Sequence, residues 1–433
     1  MAQSWLDIPA GSDFSLINIP FGIVTYSGTS TPRAAVAIGD QVLDLVVFSE
    51  FDGFDGLADI QPYLHLFDEP TLNSFAALGR PLHKKVRAYL HDVFVKDGPF
   101  RERLQDNAQL RSASLVPLAS VQTHLPMHIG DYTDFYVGKH HAFNVGVLFR
   151  GPANALQPNY THLPVGYHGR ASSVVVSGTP VRRPWGQILD TDKKTPIYHP
   201  SKRLDIELEL GAFVCKPNYL GSPIPIGKAE DHLFGYVLLN DWSARDIQAW
   251  EYVPLGPFNA KNFASTISAW VVLADALEPF RTDGIQNTSE LQPYLKPADS
   301  SVKPMFDINL EVDLKPKGVA ASSVVSRSNG RHLLWSFPQM LAHHTVGGCP
   351  LNVGDLLGSG TISGPDDGTQ GSLLEITGGG SKTVNVGGVE RKFLEDGDEV
   401  VLRGWCEADG QRLGFGECRG QILAAWANGV AEE

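Results

Sequence analysis

Short apolar runs, separated by glycine and proline, dominate the chain and predict many β-strands. Near the N-terminus three such runs lie at residues 21–26, 34–38 and 41–45. Apolar residues then recur with helical spacing, with a proline near the start of each segment, at residues 70–78 and 81–94. A third short helix is predicted at residues 101–110.

The pattern changes after residues 115–121, which have the character of a linker. Beyond them the chain consists mostly of strands and loops, and we predict strands at residues 204–214, 233–239, 305–314 and 399–402. We therefore predict a mainly β protein with some α-helix. Its N-terminal domain would cover residues 1–120 and its C-terminal domain residues 121–433.

The segment LDIELEL at residues 204–210 alternates apolar and acidic residues strictly. On a strand the apolar side chains face one way, and Asp205, Glu207 and Glu209 face the other. Two interpretations remain open: a solvated acidic face on a half-exposed strand, or carboxylates about 7 Å apart that share a cation. Neighbouring like charges are unfavourable without a compensating positive charge, which favours the cation.

Two further carboxylates could join such a site. Asp241 follows the predicted strand at residues 233–239, and Asp134 lies in a polar and aromatic segment that we predict to be a loop. If these groups converge with Glu207 and Glu209, the ligands are hard oxygens. Such a ligand set favours Ca²⁺ or Mg²⁺ over zinc or copper.

A helix start is predicted after Asp241. Ser243 and Asp246 have the spacing of a capping box, and Arg245 and Gln248, three residues apart, share one helical face. By spacing alone, Arg245 and Gln248 are ordinary surface side chains. Lys261, at the end of a loop with proline and glycine, is likewise typical of a solvated charge.

Fourteen histidines make any single one a poor catalytic candidate without context. His140 and His141 are adjacent and follow Asp134 closely in the sequence. Because neighbouring side chains in an extended segment point in opposite directions, only one of the two could face a site near Asp134.

Composition and charge argue against several function classes. A formal net charge of −13 over 433 residues lacks the basic face that a nucleic-acid binder needs. The four cysteines form no CxxC pair, so neither a cysteine zinc site nor a disulfide scaffold is expected. No apolar run approaches the roughly 18 residues that cross a bilayer, and no signal-peptide pattern opens the chain, so we expect a cytoplasmic protein without membrane contact.

Seven segments resemble the motifs of the fumarylacetoacetase family, in matching order and spacing over essentially the whole chain. They are DYTDFY (131–136), HAFNVGVLFR (141–150), PVGYHGR (164–170), LDIELEL (204–210), NDWSARD (240–246), WEYVPLGPF (250–258) and GTISGP (360–365). The resemblance implies a small N-terminal SH3-like barrel and a large C-terminal β-roll domain, paired as a homodimer. It further implies hydrolysis of the carbon–carbon bond of a dicarboxylate, 4-fumarylacetoacetate, to fumarate and acetoacetate, the last step of tyrosine and phenylalanine catabolism.

The resemblance also implies roles for individual residues. The divalent cation, Ca²⁺ or Mg²⁺, would be bound by Asp134, Glu207, Glu209 and Asp241. A second cation position is implied near Asp241, Ser265 and Lys261, the last through its backbone carbonyl because an ammonium cannot ligate a cation. His141 would be the general base and Glu375 would orient it. Oxyanion stabilisation would come from Arg245, Gln248 and Lys261, and substrate binding from Tyr136, Arg150, Gln248, Tyr252 and Thr361.

One position departs from the animal-type pattern of the family, since Ser265 stands where threonine is expected. Serine keeps the hydroxyl, so the departure concerns the affinity of the second cation position. Two other functions stay open: an acylpyruvate hydrolase or decarboxylase with the same metal-carboxylate core, and a non-catalytic metal-binding or scaffold protein. A scaffold would need neither His141 with Glu375 nor Arg245 with Gln248.

Overall fold

The computed structural model describes residues 2–192, 194–297, 299 and 301–430 of the chain. Strands hold 29% of the residues and helices 25%, which confirms the mainly β composition predicted from the sequence. None of the helices in this described part has the length and apolar content that crossing a lipid bilayer requires.

The N-terminal part contains five strands: β1 (Phe21–Thr25), β2 (Arg33–Ile38), β3 (Gln41–Asp44), β4 (Leu115–Pro117) and β5 (Gln122–His124). They form one antiparallel sheet in the order β4-β3-β2-β1-β5. Four helices accompany the sheet: α1 (Leu45–Glu50), α2 (Asn73–Ala77), α3 (Arg80–Phe94) and α4 (Ala108–Ser114). The three strands predicted here are confirmed. Leu45, however, begins α1, because the Asp44 side chain accepts the first-turn N–H groups.

The predicted linker at residues 115–121 is wrong. Its first three residues form β4, which pairs with β3, and β5 follows directly and pairs with β1. β4 is an edge strand, where Pro117 costs no ladder hydrogen bond, and a proline in so short a run gave the segment the appearance of a linker. The N-terminal sheet therefore extends beyond residue 120.

The long helix predicted at residues 81–94 is confirmed as α3, with Pro81 in its first turn. The helix predicted at residues 70–78 shrinks to α2, and the helix predicted at residues 101–110 is misplaced. Residues 99–105 are turns, and α4 begins only after Asn107, whose side chain accepts the Leu110 N–H. A side-chain cap rather than apolar spacing fixes that start.

The remaining strands, in chain order, are β6 (Tyr132–Phe135), β7 (Gly166–His168), β8 (Val174–Val176), β9 (Val181–Arg182), β10 (Trp185–Leu189), β11 (Pro196–Pro200), β12 (Leu204–Asp205), β13 (Leu208–Val214), β14 (Leu233–Asp241), β15 (Ser243–Ala244), β16 (Ser265–Ile267), β17 (Val272–Leu273), β18 (Arg281–Thr282), β19 (Met305–Phe306), β20 (Asn309–Lys315), β21 (Ser323–Asn329), β22 (Leu356–Gly358), β23 (Val384–Val386), β24 (Val389–Arg391), β25 (Glu399–Ala408) and β26 (Gln411–Leu423). The later α-helices are α5 (Lys139–Arg150), α6 (Arg245–Glu251), α7 (Phe337–Thr345) and α8 (Leu373–Ile376). Short 3-10 helices cover Ala58–Asp68, Leu118–Ser120, Pro152–Asn154, Ala171–Ser173, Ile226–His232, Ala274–Phe280, Pro293–Leu295, Gly330–His332 and Ala427–Gly429.

Two sheets organise the C-terminal part. The larger has eight strands in the order β7-β6-β22-β13-β14-β16-β8, with β17 also paired to β14. The second has five strands in the order β21-β20-β25-β26-β9. The strands predicted at residues 233–239 and 399–402 are confirmed within β14 and β25. Those predicted at residues 204–214 and 305–314 are each interrupted, between β12 and β13 and between β19 and β20.

The eight-stranded sheet is buried on both faces. Its first core includes the apolar side chains of the LDIELEL segment together with β20 and β25, for example Leu204, Ile206, Leu208, Leu210, Leu310 and Leu402. Its second core joins the opposite face to the N-terminal strands and helices, for example Phe213, Phe234, Val237, Phe75, Val86 and Leu90. We call the second set the shared core.

Because both faces are covered, the acidic side of LDIELEL has almost no contact with bulk water. The exposed fractions of Asp205, Glu207 and Glu209 are 0%, 5% and 0%. The interpretation of this segment as a solvated acidic face is therefore wrong. Burying carboxylates is costly unless cations or hydrogen bonds compensate, so compensating groups must lie nearby.

His83 of α3 lies in the shared core and gives a first test of the packing. Its ring centroid is 5.1 Å from that of Phe75 and 4.9 Å from that of Phe234, and its Nε2 hydrogen-bonds to the Phe75 carbonyl at 3.0 Å. Burial lowers the pKa of His83 from 6.5 to about 4. The unfolded chain therefore binds a proton here at a pH where the folded chain does not.

Stability should consequently fall as the pH drops through the window from 6.5 to 4. Between pH 8 and pH 5 we expect wild type to lose ~2 kcal/mol more unfolding free energy than His83→Gln. Glutamine can still donate to the Phe75 carbonyl but does not titrate. Urea unfolding of both proteins at each pH measures the difference, and a difference that does not change with pH would contradict the assignment.

Candidate metal centre and active site

Four buried carboxylates meet at the centre of the eight-stranded sheet. Asp134 lies on β6, Glu209 on β13 and Asp241 at the end of β14, and Glu207 lies at the interruption before β13. One oxygen of each lies within 4.8 Å of the chosen oxygens of the other three. We call these four residues the carboxylate cluster. The segment around Asp134, predicted as a loop, is a buried strand flanked by Tyr132 and Phe135.

The interruption between β12 and β13 separates the acidic residues of LDIELEL into two groups. Asp205 pairs with Ser243 in β12, whereas the Glu207 N–H leaves the ladder and donates to the Asn240 side chain. Glu207 and Glu209 belong to the carboxylate cluster, and Asp205 does not. Simple alternation along one strand could not distinguish these two groups.

Gly358 on β22 provides the space in which two of these carboxylates meet. It lies opposite Asp134 of β6 on one side and opposite Gly211 of β13 on the other. A β-carbon at Gly358 would lie 2.6 Å from Asp134 Oδ1 and 3.3 Å from Glu209 Oε2. The first distance is too short for any side chain, so the close approach itself requires glycine at this position.

Gly358→Ala should therefore displace the carboxylates and weaken cation binding about 10- to 100-fold, with a smaller effect on folding. Calorimetric titration of chelated protein with Ca²⁺ or Mg²⁺ measures the change. Gly347→Ala is the matched control, because a β-carbon there meets no heavy atom within 4 Å. Unaltered affinity in Gly358→Ala would mean that the cation lies elsewhere.

The electrostatics of the cluster favour an added positive charge. Burial raises the pKa of Asp134 well above its usual range, and the Asp241 carboxylate raises it further. Burial and then Asp134 likewise raise the pKa of Glu209. Glu209 Oε1 has no hydrogen-bond partner among the described residues. Hard oxygen donors with one unpaired buried oxygen fit a divalent cation such as Ca²⁺ or Mg²⁺.

Two cationic side chains already contact the cluster. Lys261 is buried, not solvated as its context suggested; its Nζ contacts Glu207 and lies 2.6 Å from Asp241 Oδ2. Arg245 Nη2 lies 2.9 Å from Glu207 Oε1. Burial alone would raise the pKa of Glu207, but Lys261 and Arg245 hold it well below its usual range. These cations favour the ionised form of Glu207, whereas Asp134 and Glu209 accept only the Gly360 N–H, at 3.2 and 3.0 Å, and form no ion pair within the described residues.

Two hydroxyl groups complete the surroundings of Asp241. Ser265, at the start of β16, donates from Oγ to Asp241 Oδ1 at 2.8 Å. Tyr167 of β7 donates to Asp241 Oδ2, also at 2.8 Å. Tyr167 was not among the predicted site residues, although it lies inside the PVGYHGR motif.

His141 links the cluster to a second buried carboxylate. Its Nδ1 is 2.6 Å from Glu375 Oε2 on α8, and its Nε2 is 3.5 Å from Glu207 Oε1. Burial lowers the pKa of His141, but the charges of Glu375 and Glu207 outweigh burial and raise it to about 9. The His140 ring instead faces His332, with centroids 5.9 Å apart. The segment is helical rather than extended, so the predicted reason for this difference is wrong.

Glu375 is held in place by three further donors, none of them predicted. Asn144 Nδ2 donates to Oε1 at 2.9 Å, and Ser363 and Ser372 donate to Oε2 at 2.9 and 2.8 Å. His141, followed by the hydrogen bonds from Asn144 and Ser372, lowers the pKa of Glu375 despite its burial. Asn144 lies three residues after His141 on one face of α5, a spacing that could have identified it from the sequence.

Arg245 is not the surface side chain that its spacing suggested. It is the first residue of α6 and is 3% exposed. Its Nε donates to Asp205 Oδ2 at 2.8 Å, and its Nη1 donates to Gln248 Oε1 at 3.1 Å. Because Gln248 Oε1 accepts from Arg245, the amide nitrogen of Gln248 is left as a donor for another group.

The predicted capping box at the start of α6 is also wrong. Ala244 occupies the cap position and makes no side-chain cap bond. Ser243 Oγ donates to the Asp241 carbonyl at 3.0 Å, and Asp246 accepts from Ser201 Oγ at 2.6 Å. β15, which Ser243 and Ala244 form with β12, sets the entry to the helix instead.

The predicted substrate-binding residues lie along α5 and α6. The Tyr136 ring packs edge-on against His141, with centroids 5.5 Å apart. Buried Thr361 lies against the start of α5, and its Oγ1 has no hydrogen-bond partner in the described part of the chain. Tyr252 follows α6 and packs near Phe149, while Arg150 donates to backbone carbonyls just beyond α5.

Comparison with known proteins gives two matching family profiles. The profile described as fumarylacetoacetate hydrolase, C-terminal, matches residues 132–423, and the profile described as fumarylacetoacetase, N-terminal, matches residues 17–126. Among curated proteins, the chain is 61% identical to the fumarylacetoacetase of Aspergillus fumigatus over 98% of both chains. It is 49% identical to that of Homo sapiens over 98% of this chain and 99% of the other.

A solved structure, the fumarylacetoacetate hydrolase from psychrophilic Exiguobacterium antarcticum, has a TM-score of 0.51 with this chain. The match covers 94% of this chain and 99% of that one, at 15% sequence identity. At this identity the similarity shows a common fold and no more.

Proposed function

The chain belongs to the fumarylacetoacetate hydrolase family and is a hydrolase, and from this premise we propose that it cleaves 4-fumarylacetoacetate with water to give fumarate and acetoacetate. One observation carries the proposal: the His141–Glu375 pair lies beside the carboxylate cluster, with His141 Nε2 3.5 Å from Glu207 Oε1. A base, its orienting carboxylate and a cation site within one buried space are what such a hydrolysis needs.

We propose that Asp134, Glu207, Glu209 and Asp241 hold Ca²⁺ or Mg²⁺. When bound, the cation supplies positive charge that polarises the ketone oxygens of a 1,3-diketone. The unpaired Glu209 Oε1 and the raised pKa of Asp134 support this assignment. A second cation position near Asp241, the Lys261 carbonyl and Ser265 is a further proposal, supported by the Ser265 hydroxyl on Asp241.

His141 is proposed to take a proton from water through Nε2 while Nδ1 stays bonded to Glu375, which fixes the tautomer. A cation bound at the cluster would offset the charge of Glu207, one of the two carboxylates that raise the pKa of His141. The His141 ring would then shift towards its neutral form, which can accept a proton. The resulting hydroxide attacks the ketone carbon on the fumaryl side. The carbon–carbon bond then breaks, its electron pair remains on the acetoacetate carbon, and the proton held by His141 is returned there.

Arg245, Gln248 and Lys261 are proposed to stabilise the oxyanion that forms during this attack. Arg245 and Lys261 are buried cations fixed by the cluster, and the Gln248 amide nitrogen is free to donate because its oxygen faces Arg245. Removing one such donor typically costs ~3–4 kcal/mol of transition-state stabilisation. The same cations offset part of the negative charge that a dicarboxylate substrate adds.

Substrate binding is proposed for Tyr136, Arg150, Gln248, Tyr252 and Thr361. The unpaired Thr361 Oγ1 and the contact of Tyr136 with His141 support two of these assignments. Arg150 has the planar donor geometry that matches a carboxylate, although in this structure it is engaged by the carbonyls of Asn154 and Ala155.

Several properties of the whole molecule are also proposals. We propose that the N-terminal sheet forms an SH3-like barrel and the C-terminal sheets a β-roll, as two domains that divide near residue 120. We propose a cytoplasmic homodimer that does not bind nucleic acid. Four exposed apolar side chains close to the site could be buried in the dimer interface: Phe143, Val253, Leu255 and Phe258. Light scattering on purified protein would measure the molar mass and so distinguish a dimer from a monomer.

The test is hydrolysis by purified, cation-loaded protein, followed as loss of the 4-fumarylacetoacetate absorbance. The same preparation is then given acylpyruvates and a decarboxylase substrate of that class. Faster turnover of 4-fumarylacetoacetate supports the proposal. A folded, cation-loaded protein that cleaves only acylpyruvates, or none of these compounds, would exclude it.

A further inference from the structure

Asp205 is a buried carboxylate outside the carboxylate cluster whose hydrogen bonds reach two parts of the active site. Its Oδ1 accepts the N–H groups of Ile206 at 2.8 Å and of Leu373 at 2.7 Å. Its Oδ2 accepts the Leu374 N–H at 3.0 Å and Arg245 Nε at 2.8 Å. The side chain is completely buried, so these four bonds are made without competition from bulk water.

The two sets of donors belong to groups with different proposed tasks. Leu373 and Leu374 are the first two residues of α8, and the next residue is Glu375, which holds His141. Arg245 is the proposed oxyanion donor and begins α6. The Asp205 carboxylate therefore fixes two groups. One is the first turn of α8, which carries Glu375, and the other is the guanidinium of Arg245.

We propose that Asp205 is a positioning residue that holds the His141–Glu375 pair and Arg245 in a fixed mutual arrangement. The inference rests on the proposed function, because it assigns an indirect role in that reaction. Such constellations lose rate when their parts shift by about 1 Å, whereas most of the proposed substrate contacts, from Tyr136, Arg150, Tyr252 and Thr361, receive no hydrogen bond from Asp205 or Arg245 in the described part of the chain. Loss of Asp205 should therefore lower kcat much more than it raises KM.

Asp205→Asn is the main variant, since an amide has the size of the carboxylate but only one accepting oxygen. Whichever way the amide turns, two donors lose their acceptor. We expect kcat to fall about 100-fold or more, as when an oxyanion donor is removed, with KM altered less than about threefold. Combined with Arg245→Lys, the loss should be smaller than the product of the single losses, because both changes act on one unit.

Asp398→Asn is the matched control. Asp398 is also completely buried, and it accepts two bonds from Arg391, at 2.8 and 3.0 Å, and the N–H groups of Lys317 and Glu395 at 3.0 and 2.9 Å. None of these partners belongs to the proposed site. Asp398→Asn should lower the thermal midpoint about as much as Asp205→Asn while leaving kcat within about threefold of wild type.

Three results would overturn the inference: full kcat in Asp205→Asn, an equal loss of kcat in Asp398→Asn, or losses that multiply fully with Arg245→Lys. If Asp205→Asn does not fold, Asp205→Glu decides by the same criteria, because it keeps the charge and both oxygens but displaces them by one methylene. A wild-type protein that does not cleave 4-fumarylacetoacetate would overturn the proposed function itself. Active wild type with fully active Asp205→Asn would overturn this inference alone.

Discussion

Replacing His141 by glutamine is expected to lower kcat about 10³-fold while leaving the protein folded. Glutamine is close to histidine in size, and Glu375 keeps its hydrogen bonds from Asn144, Ser363 and Ser372, so the buried carboxylate retains partners when Nδ1 is lost. It cannot take a proton from water, because an amide nitrogen has no available lone pair at neutral pH. Steady-state hydrolysis, with thermal midpoints measured alongside, separates the loss of chemistry from a loss of structure.

His140→Gln is the control for the His141 experiment. The two residues are neighbours on α5, but the His140 ring faces His332 and is only half-buried. We expect kcat within about twofold of wild type, as for most changes away from a site. Comparable losses in both variants, or more than a tenth of wild-type kcat in His141→Gln, would mean that another group removes the proton.

Removing the cation should have the second large effect. Dialysis against EDTA is expected to reduce turnover to below about 1%, and added Ca²⁺ or Mg²⁺ should restore it. Without a cation, burial and mutual repulsion raise the pKa of Asp134 and Glu209. A carboxyl whose folded pKa is raised contributes stability that is present at low pH and lost as the pH rises through that value. The chelated protein should thus lose stability, relative to the loaded protein, as the pH increases.

Comparing chelated and loaded protein at each pH cancels groups such as His83 that titrate in both. Glu209→Gln is a second test, because it removes one of the repelling charges while the side chain keeps nearly the same size and shape. This variant should be inactive with the cation and more heat-stable than wild type without it. A chelated wild type that is as stable as the loaded form at pH 8 would show that the cluster does not require a cation.

The local pattern of the sequence was sufficient for features that depend on neighbours along the chain. Alternation in LDIELEL placed its apolar residues in one core, and apolar spacing with an early proline predicted α3. Glu207 and Glu209 followed from the same alternation. Asp241 followed from its place after a strand, and its position at the end of β14 agrees.

Features set by distant residues could not be predicted in this way. The side of β13 that continues the acidic face belongs, at Phe213, to a core with side chains more than a hundred positions away, such as Phe75 and Leu90. The local pattern predicts that Arg245 is a surface residue, because its partners Asp205 and Glu207 lie about forty positions earlier in the sequence. The edge strand β4 has too few residues to carry a pattern, and its pairing with β3 spans about seventy residues of chain.

The shared core has a consequence for how inherited changes would act in a cell. Phe75 and Phe234, with ring centroids 6.0 Å apart, belong to different halves of the chain but to one packed unit. A substitution in the N-terminal half that opens a cavity here replaces none of the residues around the cluster, but it destabilises the core on which their strands pack. Each surviving molecule would work at the normal speed, but quality control would leave fewer of them. The total rate of the reaction in the cell would then follow the amount of folded protein. Growth at lower temperature, where more of the variant stays folded, would raise that amount.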